Sequence, residues 1–257
     1  MQSTSEVKES FRLLVFASLL TLALWFIPYA GVITYPIELF VTLIHESGHA
    51  LAALATSANV NRIELYWDGS GMTRRSGGWG WIISSAGYLA TMLYGCGLLL
   101  ALRRARNARV AAIFTAVLVL LITGLFGGNL LVWLTGLVFG GGCLLLALKA
   151  KPKLTHFVMS FLGVQCVLNA LYDLRALLFL SASDSSIRTD AVNMAAATNG
   201  FIPALVWALA WSTIAVVMLG ATLVVYYRSL RQRAALAEPL TPTLLTDHTA
   251  DIAQPRW

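Results

Sequence analysis

The chain has 257 residues, of which 58% are hydrophobic and only 12% are charged, and its mean hydropathy is +0.74. Soluble globular domains carry about 25% charged residues, so this composition excludes that class and indicates an integral membrane protein. The net charge of +6 comes from basic residues in short clusters between apolar runs. Such clusters between apolar runs are typical of the loops that set the topology of a membrane protein. We therefore expect the lipid bilayer as a partner and no binding of nucleic acid.

Seven apolar runs are long enough to cross a bilayer, so the sequence predicts an all-α membrane protein with about seven transmembrane helices. The runs cover residues 11–30, 33–57, 81–102, 110–126, 130–148, 157–180 and 201–227. Residues 59–76 differ, because apolar and polar side chains alternate there on both sides of Asp68-Gly69. This pattern predicts a small β-hairpin after the second helix.

Three regions follow from this pattern. We expect residues 1–32 to form an N-terminal tail and the first transmembrane helix, and residues 33–227 to form the membrane-embedded core. Residues 228–257 are predicted to be a flexible tail, because prolines interrupt a polar sequence without a periodic apolar face. Basic clusters at 103–109, 149–153 and 228–233 all become cytoplasmic if the last five runs alternate, which predicts a cytoplasmic C-terminus.

The second apolar run contains His45-Glu46-Ser47-Gly48-His49, which matches the pattern H-E-x-x-H. On a helix, His45 and His49 share one face, so both imidazoles can reach one metal ion. Glu46 lies about 100° further round the helix, where it can hold an activated water without binding the metal. Such side chains are costly in lipid and indicate function there. The sequence predicts His45 and His49 as zinc ligands and Glu46 as the catalytic residue.

A catalytic zinc ion takes three protein ligands and keeps a fourth position for water, so one ligand remains to be found. The sixth run carries Gln165, Asn169 and Asp173 at four-residue intervals, a polar stripe that should face the helix bundle. Asp173 is the predicted third ligand, because it is the only acid of that run and a bound cation would offset the cost of burying it. Asn169 is predicted to contact substrate backbone or to orient the carboxylate.

Other interpretations of the acidic residues stay open. Asp173 could instead pair with Arg175, or with another basic group near the membrane face, and be structural. Asp190 is the alternative third ligand, in a segment where Thr189 could cap a short helix that Asp190 begins. An acid in the first turn of a helix is stabilised by the helix dipole and needs no further role.

Residues 44–50 resemble the H-E-x-G-H-A helix of the site-2 protease family of intramembrane zinc metalloproteases, in particular its short bacterial type. The similarity extends over about residues 33–215, and within that range only the motif at residues 44–50 is specific. The family's Asn-Pro motif ending in Leu-Asp-Gly corresponds to residues 169–174 here, without its proline and glycine. Weaker similarities lie in Gly71-Met72-Thr73, in Ser85-Ala86-Gly87-Tyr88, and in Asp190-Ala191 with Thr198-Asn199-Gly200 and Pro203.

The resemblance implies a zinc-dependent metallopeptidase of the bacterial inner (plasma) membrane that hydrolyses peptide bonds of transmembrane protein substrates. Zn²⁺ would be the cofactor, Glu46 would act as general base and then as general acid, and an aspartate would complete the site. The hairpin would add a strand to an unwound substrate segment. Unwinding is needed because hydrogen bonds protect the peptide bonds of a transmembrane helix.

Two functions without hydrolysis also fit the motif. In a zinc transporter the histidines and Asp173 would mark an ion path, which requires further polar residues along several helices. The third, fourth, fifth and seventh apolar runs offer almost none. In a metal-binding membrane scaffold, Glu46 would be dispensable while the histidines remain.

Overall fold

The computed structural model describes residues 30–183 and 187–235, together with residues 12, 15–16, 18–21 and 23. The description below uses labels for the elements from residue 30 onward. The helices are α1 (Ala30–Ala55), α2 (Gly80–Ala101), α3 (Ala108–Phe126), α4 (Leu130–Lys149), α5 (Pro152–Ala182), α6 (Asp190–Ala197) and α7 (Ala204–Ala235). Between α1 and α2 lie the strands β1 (Asn59–Leu65) and β2 (Gly71–Ser76).

Five helices among the described residues are long and apolar enough to cross a membrane, namely α2, α3, α4, α5 and α7. The protein is therefore a mostly helical membrane protein. Helix α1, the second predicted span, is not one of the five, because His45, Glu46 and His49 lower its hydropathy. The first predicted span falls largely outside the described residues, so the total of seven stays a prediction. Helix α7 continues past Tyr227 to Ala235, further than the predicted start of the tail, because residues 228–235 are mostly good helix formers.

Helices α2 and α5 lie at the centre of the bundle. Buried apolar side chains of α1, β1, α3 and α4 form one core cluster with the ends of α2 and α5. A second cluster joins α2 and α5 to α6 and α7. Burying such side chains contributes about 1.5–3 kcal/mol each in water; within lipid, close packing takes over this role. The two clusters hold α1 and α6 on neighbouring sides of α2.

The predicted two-stranded antiparallel sheet is present, with Ile63 opposite Thr73 and Glu64 opposite Met72. Glu64 accepts hydrogen bonds from Arg62 at 3.0 Å and from Arg74 at 2.7 Å. The pKa of the Glu64 carboxyl is lowered, mainly by its hydrogen bond with the Arg74 guanidinium. The carboxylate therefore stays ionised and joins the two strands on their exposed side.

Asn129 anchors the sheet to the helices. Its side-chain oxygen accepts from the backbone N–H of Val132 and so caps α4, while its amide donates to the Leu65 carbonyl at 2.6 Å. Next to it, the Gly128 N–H donates to the Ile63 carbonyl at 2.8 Å. One edge of β1 is thus attached to the α3–α4 turn, and β2 is left facing α1.

The basic clusters lie where helix ends meet. Arg109, at the start of α3, donates to the Ala147 carbonyl near the end of α4 at 2.6 Å. His156, near the start of α5, bonds the Leu102 carbonyl just after α2 at 2.9 Å. The cationic ends of α2 and α4 and the starts of α3 and α5 therefore share one side of the bundle.

Candidate metal centre and active-site cavity

Helix α1 brings His45 and His49 together one turn apart, as the spacing predicts. Their ring centroids are 4.7 Å apart and their Nε2 atoms are 3.0 Å apart. His49 is buried, and its Nδ1 lies 2.6 Å from the Ile83 carbonyl oxygen of α2. A carbonyl only accepts hydrogen bonds, so Nδ1 carries the hydrogen and Nε2 of a neutral ring keeps its lone pair. This arrangement leaves Nε2 of His49 free to bind a metal ion.

Asp190 is the acid that meets both imidazoles. Its Oδ2 lies 3.4 Å from His45 Nε2 and 3.2 Å from His49 Nε2. The carboxylate is held at the start of α6, where the Thr189 side chain accepts from the Val192 N–H at 3.3 Å and caps the helix. The predicted cap at Thr189 is confirmed. Among the described residues, His45, His49 and Asp190 form the one group of three or more His, Cys, Asp or Glu side chains close enough to hold a metal.

The donor set fits zinc. Two imidazole nitrogens and one carboxylate oxygen are a common set of protein ligands for a catalytic zinc ion. In a tetrahedral site with bonds of about 2.0–2.1 Å, ligand atoms lie about 3.3 Å from one another. The three separations here, 3.0, 3.2 and 3.4 Å, lie close to that value. The three side chains can therefore converge on one ion with little rearrangement.

Gly87 of α2 makes room for this group. A Cβ added at this position would overlap Nε2 of His45 and would lie 2.6 Å from Nε2 of His49. Real Cβ contacts are essentially never this short. The absence of a side chain at residue 87 thus lets α2 approach the imidazoles while their Nε2 atoms stay clear.

Glu46 is buried beside the two histidines and is held by the hairpin. Thr73 of β2 donates its hydroxyl hydrogen toward Glu46, with 2.6 Å to the carboxylate Oε2 and 3.1 Å to the backbone oxygen. Gly71 allows this contact, because an added Cβ would lie 2.7 Å from Glu46 Cγ. Docking of β2 on α1 therefore fixes the position of the carboxylate.

A cavity of about 1200 Å³ opens onto these groups. Its walls come from α1, β2, α2, α5 and the start of α6. Besides the histidines, Glu46 and Asp190, its polar lining includes Glu38, Thr73, Arg74, Arg75, Ser84, Tyr88, Asn169, Asp173, Arg188 and Asn193. The volume is large enough for an extended peptide segment.

Asp173 and Asn169 line this cavity, but Asp173 is not part of the three-residue group. The geometry favours the alternative ligand, Asp190, over Asp173. The pairing of Asp173 with Arg175 is not formed either, since the Arg175 guanidinium lies 5.3 Å above the Phe179 ring and no ion pair joins these two described residues. The polar stripe does face the bundle: Gln165 is buried, and Asn169 donates to the Gln165 carbonyl at 2.9 Å.

Sequence reasoning gave no role to Thr73, Ile83 or Tyr88. Thr73 and Tyr88 lie in segments that resemble the protease family. The sequence therefore indicated that these segments matter, but it did not show that Thr73 contacts Glu46 or that Tyr88 contacts His45. The Ile83 carbonyl carries no signal in the side-chain pattern, because any residue supplies a backbone oxygen.

A family model described as Peptidase M50B-like matches residues 15–222. The chain therefore belongs to this family, the site-2 protease family of membrane-embedded peptidases. Zinc dependence is the norm in the family, and the donor set described above is compatible with it. No curated protein and no solved structure matches the chain significantly.

Proposed function

We propose that this protein is an intramembrane zinc metalloendopeptidase that cuts peptide bonds of membrane-embedded protein substrates. The observation that carries the proposal is the convergence of His45, His49 and Asp190 beside the buried carboxylate of Glu46, on the wall of one cavity. Membership of a peptidase family supports the same reaction class. A metal site without a general base would fit a scaffold equally well, whereas the Glu46 carboxylate beside the histidines is the general base that hydrolysis needs.

In this proposal His45, His49 and Asp190 hold the metal, and Asp190 takes the role that the sequence first suggested for Asp173. Bound zinc lowers the pKa of a coordinated water and polarises a carbonyl group. The hydrogen bond from His49 to the Ile83 carbonyl orients that ring, in the way that outer contacts orient metal ligands.

Glu46 moves the proton. The oxygen of a water molecule bonds to the carbonyl carbon of the peptide while Glu46 accepts one proton from that water. The carbon–nitrogen bond then breaks, and Glu46 delivers the proton to the departing amine nitrogen, so that the products are a carboxyl group and an amine. The hydrogen bond from Thr73 aims the Glu46 carboxylate during both transfers.

The hairpin is the proposed docking site for the unwound substrate. Strand β2 pairs with β1 on one edge, and in the described part of the chain no strand pairs with its other edge. Residues of β2 line the cavity next to Glu46. An extended peptide added to this edge would hydrogen-bond its backbone to β2 and present its peptide bonds to the site. Asn169, which lines the same cavity, is proposed to contact that backbone.

Charge supports the membrane orientation. The basic residues at the joined ends of α2 to α5 are proposed to face the cytoplasm of a bacterial inner membrane, with the C-terminus on the same side.

Removal of metal tests the function directly. We expect the purified protein in liposomes to cleave a subset of fluorescently labelled transmembrane peptides. Treatment with 1,10-phenanthroline should abolish cleavage, and added Zn²⁺ should restore it, as followed by mass spectrometry of the products. A transporter would instead move zinc into the vesicles and leave every peptide intact, which would contradict the proposal.

Gly87→Ala is expected to prevent zinc binding, because the added methyl group would occupy the space at the two Nε2 atoms. The matched control is Gly97→Ala, on the same helix, where an added Cβ meets nothing within 4 Å. Metal content of the purified variants, measured by atomic emission, checks this prediction. Equal zinc content in both variants would show that the ion does not sit between these imidazoles.

A further inference from the structure

We propose that Tyr88 is a further catalytic residue, whose hydroxyl donates a hydrogen bond to the carbonyl oxygen of the peptide bond being cut. The inference rests on the proposed function and adds to it the group that stabilises the transition state.

Tyr88 lies directly against the metal-binding group. Its ring meets the His45 ring edge to face, with 4.6 Å between centroids. Tyr88 also lines the cavity together with Asp190, Asp173 and Glu46. Tyr88 therefore lies beside the place where a peptide carbonyl would be attacked.

The Tyr88 ring is held in place by a neighbouring aromatic side chain. Trp211 of α7 stacks on it with 5.9 Å between centroids and is itself buried. The Trp211 indole N–H donates to the Ser85 hydroxyl at 3.2 Å, which ties α7 to the first turns of α2. A donor that is fixed before the substrate arrives needs no reorganisation during the reaction, which is the condition for effective stabilisation of the transition state.

The Tyr88 hydroxyl also has no hydrogen-bond partner among the described residues, unlike the hydroxyls of Tyr35 and Tyr94. Tyr94, on the same helix, bonds the Thr115 hydroxyl at 2.7 Å, and Tyr35 donates to the Trp67 carbonyl at 2.9 Å. Tyr88 lines the cavity and forms no hydrogen bond with any residue in the described part of the chain. A polar group in that position is suited to a ligand.

Asn169 is less suited to this role, although it faces the same cavity. One of its amide hydrogens is already donated to the Gln165 carbonyl at 2.9 Å. Tyr88 also lies against His45, whereas no hydrogen bond joins Asn169 to His45, His49 or Asp190.

A hydrogen-bond donor at this point would assist the reaction in addition to the metal. When the water oxygen bonds to the carbonyl carbon, the carbonyl oxygen gains negative charge until the carbon–nitrogen bond breaks. A hydroxyl hydrogen bond to that oxygen strengthens as the charge develops, so it lowers the barrier more than it tightens substrate binding. No proton leaves Tyr88 in this step.

Tyr88→Phe tests the proposal, because it removes only the hydroxyl and keeps the ring contacts with His45 and Trp211. Loss of one such donor typically lowers kcat about 10²- to 10³-fold. We expect a kcat loss in this range, a KM within about threefold of the unmodified protein and unchanged zinc content, on a peptide that the unmodified protein cleaves. The matched control, Tyr94→Phe, removes a hydroxyl from the same helix and should leave kcat unchanged.

The outcomes separate this inference from the proposed function. If the unmodified protein cleaves no peptide with zinc bound, the proposed function and the role of Tyr88 are both wrong. If it cleaves and Tyr88→Phe retains a kcat within threefold, the donor role alone is overturned. A third variant, Tyr88→Leu, identifies a purely structural role: loss of zinc in Tyr88→Leu together with normal kcat in Tyr88→Phe would mean that the ring only supports His45.

Discussion

Glu46→Gln is expected to abolish peptide cleavage while zinc content stays normal. Glutamine has the same shape and can still accept the Thr73 hydrogen bond through its amide oxygen, but it cannot take a proton from water. General base catalysis contributes about 10²- to 10⁴-fold, so the residual rate should be near or below detection. Cleavage of a reconstituted transmembrane peptide, together with metal analysis of the same sample, measures both quantities.

The matched control for this variant is Glu38→Gln. Glu38 lies on the same helix and lines the same cavity, yet no contact joins it to the imidazoles, so the change should leave cleavage within threefold of the unmodified protein. His45→Ala provides the opposite reference, because it should lose zinc and cleavage together. Retained cleavage in zinc-loaded Glu46→Gln protein would disprove the proposed mechanism.

The second large effect concerns the third ligand. Asp190→Ala is expected to weaken zinc binding by more than about 100-fold, since loss even of a residue that only supports a ligand typically costs 10- to 100-fold. Asp173→Ala should change zinc affinity by less than threefold, because Asp173 lies on the cavity wall outside the metal-binding group. Competition with a zinc-binding dye in detergent measures both affinities.

Asp190→Asn is the control for misfolding of the Asp190→Ala variant, because it keeps the shape of the side chain and the Thr189 cap. If Asp190→Asn and Asp190→Ala both bind zinc normally while Asp173→Ala does not, the ligand role belongs to Asp173.

The sequence was most informative where geometry is local. The positions of His45, Glu46 and His49 follow from the helical repeat, and the cap at Thr189 follows from short-range hydrogen bonding. The two-stranded sheet was likewise visible as alternation of side chains. Each of these features is determined within a few residues along the chain.

The choice between Asp173 and Asp190 could not be made in that way. Both acids are chemically suited to zinc, and the decision depends on how α6 packs against α2, which involves residues far apart in the sequence. The polar stripe pointed correctly to the interior of the bundle, but it leads to the cavity wall rather than to the group of His45, His49 and Asp190. The contacts of Thr73 with Glu46 and of Ile83 with His49 are tertiary in the same sense.

The position of Asp190 along the chain has a consequence for biosynthesis. Both histidines and Glu46 are made early, whereas the proposed third ligand enters only after α5 has been completed. A nascent chain that ends before Asp190 carries the motif without a full set of ligands, and it would remain inert while its own helices pass through the insertion machinery. Under the proposed function, proteolytic competence would then arise late, when α6 folds onto α2, and neighbouring newly inserted proteins would not be cut before that point.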